Sequence, residues 1–297
     1  CSSDLTPGGF ATQVYIRQGH ITGFSGCRAN PAEDVKDVPP GDFLFGSAQE
    51  DVRFFLGTQP LHRVSTAGYF IGRHEVTFAE WIAYLEALSP EERHHRLPHA
   101  LSGPGEAGVV LQQPAPGGRW TLKLRPQATT YQAEAGAPLR YQGRTTAVEQ
   151  DWLRMPVVGI SAEDVEAYVG WLRQSGRVPG ARLCDEHEWE RAARGADGRV
   201  YPHGDRLAPE EANFDETYGR VSAAFGPDAV GSHPASVSPF GVEDLVGNVE
   251  EWTRSKLVGD TYVLRSSSWY QDRITGYVNN RQSTTATTRT LHIGLRV

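Results

Sequence analysis

Apolar residues recur at helical spacing in separate stretches of this chain, and polar residues able to cap a helix stand at the head of each. Trp81, Tyr84, Leu85 and Leu88 lie three or four apart and so share one helical face. Thr77 and Glu80 ahead of them form a capping box, in which each side chain satisfies an orphaned amide of the first turn, and Pro90 stops the run. Val165, Tyr168, Val169 and Leu172 repeat the pattern behind Ser161 and Asp164. A third helix is expected within Arg182–Gly195, capped by Asp185 and Glu188 and ended by Gly195 in a left-handed C′ conformation. Strict alternation is short: Val14–Gln18 and Arg119–Leu124 read as strands, and Pro39-Pro-Gly-Asp42 marks a boundary after a small β-rich lead-in over 1–36.

Composition narrows the class. The 297 residues are 39% hydrophobic, enough to bury one large core, and 32 glycines with 19 prolines call for much irregular structure. A net charge of −7 argues against a nucleic-acid partner, since phosphate-backbone binders are usually basic. No apolar run is long enough to cross a bilayer. Cys1, Cys27 and Cys184 lie far apart without zinc-finger spacing; one pair can bridge, and the sequence does not say which. The chain starts at Cys1, so it reads either as an excised domain or as a processed lipoprotein, whose mature form also begins with Cys followed by small residues.

Ordered motifs then carry a resemblance. They are Gly41-Asp-Phe-Leu-Phe-Gly-Ser47, Arg182-Leu-Cys-Asp-Glu-His-Glu-Trp-Glu-Arg-Ala-Ala-Arg-Gly195, Tyr201-Pro-His-Gly-Asp205, Ser238–Trp252, Arg265-Ser-Ser-Ser-Trp269 and Ile293-Gly-Leu-Arg-Val297. Together they resemble the formylglycine-generating enzyme (sulfatase-modifying factor) family. The resemblance implies an α+β, C-type-lectin-like fold over 37–297, of short strands and few helices. It also implies an inserted hairpin and loop at about 100–150.

The same resemblance exposes a gap. The copper-dependent oxidases of that family use two cysteine thiolates, whose places here hold Gln271 and Gly276. Neither is a ligand for a soft metal, so no copper and no formylglycine-generating activity are expected. Structural calcium is implied at Asp244, Gly247, Val249 and Glu251, where a tight glycine-containing loop supplies hard oxygens. A second calcium site would begin at Asn213 and Phe214, but its downstream Asp-Gly-Phe is not recognisable. The place of an aromatic groove residue holds Glu250. His94, His95 and His99 invite a metal reading, but position 101 is Leu where iron-dependent relatives carry a further ligand, and a surface loop is expected.

Residues 266–290 are rich in Ser, Thr, Asn and Tyr, the makeup of binding loops in which Tyr supplies area and the small polar residues adapt their hydrogen bonds. The lectin-fold variable proteins of diversity-generating retroelements randomise this same stretch. Candidate ligand contacts are Glu250, Ser268, Tyr270, Gln271, Thr275, Tyr277, Asn279, Asn280, Thr285 and Thr287. Three functions stay open. One is a non-catalytic module binding a protein, peptide or small molecule, of the kind also found behind bacterial Ser/Thr kinases. The others are an oxidase or oxygenase with altered metal ligands, and a structural subunit or inhibitor occupying a relative's groove. A bacterial cytoplasmic location is expected, or the cell surface if Cys1 carries lipid.

Overall fold

The computed structural model describes residues 34–297 apart from 104, 105 and 116, together with the backbone of two earlier strands, Gln13–Arg17 and His20–Ser25, paired antiparallel. Cys1 and Cys27 lie outside the described residues.

The three helices fall where the periodicity puts them. Helix α1, Phe78–Ala87, α2, Ala162–Gln174, and α3, Glu186–Arg194, each begin with a complete capping box, from Thr77/Glu80, Ser161/Asp164 and Asp185/Glu188. The stripes of α1 and α2 meet through aromatic rings: Trp81 stacks on Tyr168 at 5.1 Å, with Tyr84 edge-on to Tyr168 at 5.4 Å. Gly195 ends α3 with φ 75° and ψ −134°. The positive φ is as expected, but the backbone leaves in an extended sense rather than as a left-handed helical turn. Shorter helices cover Glu50–Leu56 and Pro90–His95.

Antiparallel pairs Val35–Val38 with Tyr69–Gly72 and Gly41–Phe45 with His62–Thr66 open the domain. Its centre is a four-stranded sheet in the order β3-β2-β1-β4, where β1 is Glu250–Lys256, β2 Thr261–Arg265, β3 Gln282–Thr285 and β4 Ile293–Leu295. Strand β4 runs parallel to β1, with Glu250 opposite Ile293 and Trp252 opposite Leu295.

The insertion is more than a hairpin and loop. It folds as a four-stranded antiparallel meander: His99–Gly103, Glu106–Gln112, Thr121–Leu124 and Tyr131–Glu134. Val109, Leu111, Leu122, Leu124 and Tyr131 join the main core, which also holds Trp152, Val165, Trp252 and Trp269. Alternation along these strands buries one face against that core, so the insertion is part of the domain. Later in the same segment, after the meander, the buried guanidinium of Arg144 lies between the rings of Tyr141 and Tyr218, at 3.6 and 3.9 Å from their centroids. There it pairs with Asp228 and donates to the carbonyls of Ala224 (2.7 Å) and Gly226 (2.8 Å).

Candidate functional site

The Ser238–Trp252 loop enters β1 through tightly bent backbone. Asp244 and Asn248 adopt φ of 57° and 62°, and Gly247 has φ 77°. A Cβ on Gly247 would lie 2.3 Å from the carbonyl oxygen of Asn213, so only glycine fits. Asn248 ties the loop down. Its Oδ1 accepts from the Asp228 backbone (2.9 Å) and from Asn213 (3.3 Å), while its Nδ2 donates to Glu75 (3.2 Å).

Alternation along β1 sends Glu250 and Glu251 to opposite faces. Glu251 is 1% exposed; both its oxygens accept from Arg296 (2.7–3.2 Å), and Oε2 also accepts from the Trp189 indole at 2.7 Å. Arg296 further donates to the carbonyls of Gly72 (3.1 Å) and Arg73 (2.7 Å). Two more carboxyls share this buried place. Glu75 Oε2 is 3.9 Å from Arg296 and has no hydrogen-bond partner, and Asp244 accepts from the Gly231 amide at 2.7 Å. Burial, with the neighbouring Asp244, holds Glu75 well above the usual carboxylate range, and burial raises Asp244 as well. Of the implied calcium ligands, Asp244, Gly247 and Val249 thus lie on the loop and Glu251 at the start of β1, beside the orphaned carboxylate oxygen of Glu75. The Arg296 guanidinium competes there for Glu251.

Glu250 has a different setting. It is 6% exposed, and its Oε1 accepts from Gln271 Nε2 at 3.3 Å. Burial pushes its pKa up to about 7, with the Gln271 bond pulling the other way. Gln271 Oε1 in turn accepts from the Ser268 backbone at 2.7 Å. Tyr270 packs against His292 and Phe225, centroids 5.7 Å apart in each case, over Trp269.

The cysteine places do not fit copper. Gln271 spends its amide on Glu250 and Ser268, and a Cβ on Gly276 would meet Val246 Cγ2 at 2.9 Å. Nothing in this cleft supplies a soft donor; Cys184 is buried elsewhere, against Trp189 and α3.

The structure splits the expected ligand contacts. Tyr270, Gln271 and Glu250 come together, and Thr275 lies one turn on, its amide bound to Asp272. Tyr277 sits apart, edge-on to Tyr201, in a cleft of about 160 Å³ also lined by Leu44, Leu61 and Val200. Thr285 and Thr287 are exposed at the end of β3. Ser268, Asn279 and Asn280 are buried, as Glu250 is. Asn280 donates to the carbonyls of Ser266 and Thr275, and Asn279 to that of Gly46, so both brace backbone. His94 and His95 lie on the exposed Pro90–His95 helix and His99 bonds the Leu97 carbonyl; among the described residues no three His, Cys, Asp or Glu side chains converge on one ion position, so the implied calcium set would rest on two carboxylates and the carbonyls of Gly247 and Val249.

Sequence reasoning does not single out Glu75, Arg144, Asp228, Phe225 or His292, and it reads Arg296 only as part of a terminal motif. Asp228 is the acid downstream of Asn213; burial favours its neutral form, but Arg144, His233 and Tyr218 hold it below the usual carboxylate range. The signal of these residues is weak, because each matters only through a partner distant in the chain.

A model of the sulfatase-modifying factor enzyme 1-like domain matches residues 24–297. The chain belongs to this family. Among its relatives is the inactive C-alpha-formylglycine-generating enzyme 2 of Mus musculus, 30% identical over 257 residues, covering 84% of this chain and 78% of that one. The formylglycine-generating enzyme of Mycobacterium tuberculosis is 30% identical over 239 residues, covering 75% and 74%. PvdO from Pseudomonas aeruginosa superposes with a TM-score of 0.62 at 23% identity, covering 88% of this chain and 92% of that one. Treponema denticola variable protein 1 does so with 0.58 at 16%, covering 88% and 93%. These structures share the formylglycine-generating, C-type-lectin-like fold with this domain. Among the described residues no helix is long and apolar enough to cross a membrane.

Proposed function

We propose that this domain is a non-catalytic ligand-binding module of the formylglycine-generating enzyme family. The observation that carries the reading is the fate of the cysteine places. Gln271 is tied into a polar clamp with Glu250 and Ser268, and Gly276 is packed against Val246. A relative covering most of the chain bears the name of an inactive enzyme, which supports the same reading. The recognition face is Glu250, Tyr270 and Gln271 with Thr275, extended by Tyr277, Thr285 and Thr287. Structural calcium at Asp244, Gly247, Val249 and Glu251 belongs to the same proposal. The buried Glu75 Oε2, which has no hydrogen-bond partner, supports it.

The test has two arms. Incubation with Cu(I), oxygen and a Cys-x-Pro-x-Arg peptide should leave the peptide mass unchanged; conversion above a metal-only control sinks the reading. In the second arm, Tyr270→Ala should abolish retention on an immobilised peptide library that retains wild-type protein, while leaving the melting curve in place.

A further inference from the structure

Glu250 is a buried acid with no ion pair among the described residues. Glu251 has Arg296, Asp228 has Arg144, Glu190 has Arg265, and Glu186 has Arg281. Glu250 has only the neutral amide of Gln271, and its Oε2 takes no hydrogen bond among the described residues. Removing a carboxylate from water without a partner is expensive, and such groups are ordinarily paired or bound to a cation.

The walls around it suit one kind of partner. Tyr270 is 51% exposed and lies against Phe225 and against His292, whose carbonyl accepts from the Glu250 amide at 2.7 Å, so aromatic surface lies beside this residue. Aromatic faces attract organic cations through their quadrupole, more strongly where water is excluded. His292 adds no competing positive charge at neutral pH, because burial pushes its pKa down to about 4. A second acid borders the same residue: the Asp215 backbone donates to the Gln271 carbonyl, and its Oδ1 is buried without a partner. Its Oδ2 is held by Arg220.

We propose that the site where Glu250, Tyr270, Gln271 and His292 meet binds a primary ammonium group, carried by a small amine or by a lysine side chain, with Glu250 as counter-ion. Geometry favours ammonium over guanidinium. A guanidinium fork needs both carboxylate oxygens in one plane, and Oε1 already serves Gln271, whereas an ammonium can use Oε2 alone and turn its remaining face to the rings. The inference rests on the binding-module reading and narrows it to a ligand class.

The experiment titrates the whole protein by calorimetry with n-butylamine, with the peptide acetyl-Gly-Lys-Gly-amide, and with the same peptide carrying norleucine in place of lysine. Saturable binding of butylamine identifies a free amine as sufficient; binding of the lysine peptide alone identifies a side chain in its peptide context. The norleucine peptide should bind at least roughly tenfold more weakly than the lysine peptide, and Glu250→Gln should remove that preference. Because Glu250→Gln replaces the buried carboxyl with a neutral amide, that variant should melt no lower than wild type; if it fails to fold, the comparison of lysine and norleucine peptides on wild-type protein still decides. Equal affinity for the two peptides overturns the cation assignment and leaves the binding-module reading standing. No binding of either amine at tens of millimolar overturns it as well. Turnover of the Cys-x-Pro-x-Arg peptide instead overturns the underlying reading.

Discussion

Replacing Arg144 by Met should show how firmly the insertion is built into the domain. Methionine keeps the unbranched stem between the Tyr141 and Tyr218 rings but removes the charge and its hydrogen bonds to Asp228, Ala224 and Gly226. Asp228 is then left with His233 and Tyr218 in a place sealed from water, and the Ala224 carbonyl loses its donor, while that of Gly226 keeps Asn213. Removing one partner of a buried pair costs about 3–5 kcal/mol. For a domain of this size each kcal/mol moves the melting temperature by about 2–4 °C, so a fall of roughly 6–20 °C is expected. Arg140→Met is the control: the Arg140–Glu149 pair is on the surface, with side chains 68% and 52% exposed, and its loss should cost no more than about 1 kcal/mol. Tryptophan fluorescence during thermal and urea unfolding reads both variants, and limited proteolysis shows whether residues 99–150 open first. If Arg144→Met unfolds within ~0.5 kcal/mol of wild type, the insertion is an appendage and the argument for its structural role is wrong.

Three further outcomes are expected. Burial works against a charged His233, yet the Asp228 bond overrides it and raises its pKa. Its contribution is therefore present below about pH 6.5 and lost as pH rises through the folded value, so urea unfolding should give a lower free energy at pH 8 than at pH 6, and His233→Gln should flatten that slope. Calcium in hundredfold excess over its dissociation constant should stabilise metal-stripped protein by about 2.7 kcal/mol, and coincident melting curves in EDTA and calcium would reject the site. Trp269, fully buried with its indole donating to the Leu291 carbonyl at 3.4 Å, should cost about 3–5 kcal/mol on truncation to Ala, whereas exposed Thr287→Ala should stay within about ±0.5 kcal/mol in chemical denaturation.

The helices were legible because their caps and stripes are local: Thr77/Glu80 and Trp81, Tyr84, Leu85 define α1 without reference to any distant residue. The motif order carried the fold for the same reason. The meander was only partly legible. Arg119–Leu124 alternates visibly, but its neighbours are interrupted by glycine and proline, and their inward faces show only once they pair. The candidate site was least legible. A buried Asn280 bracing two carbonyls and an exposed Thr287 have the same composition signature, since small polar side chains serve backbone and ligand equally well. Glu250 shows through the aromatic it replaces, whereas Glu75 and Arg296 become a unit only when residues more than two hundred positions apart meet.

Strand β4 fixes when this domain can mature. It is the last strand in chain order among the described residues, yet it lies beside the central strand, and Leu295 and Val297 accept from the amides of Val76 and Gly72, more than two hundred positions earlier. A nascent chain that has not reached these residues presents Glu75, Asp244 and Glu251 together without Arg296. Those carboxyls would then have to stay hydrated or take up protons, which keeps the centre of the sheet open. Contacts of such long sequence separation form slowly, so the domain closes in one late step rather than progressively from its first strands.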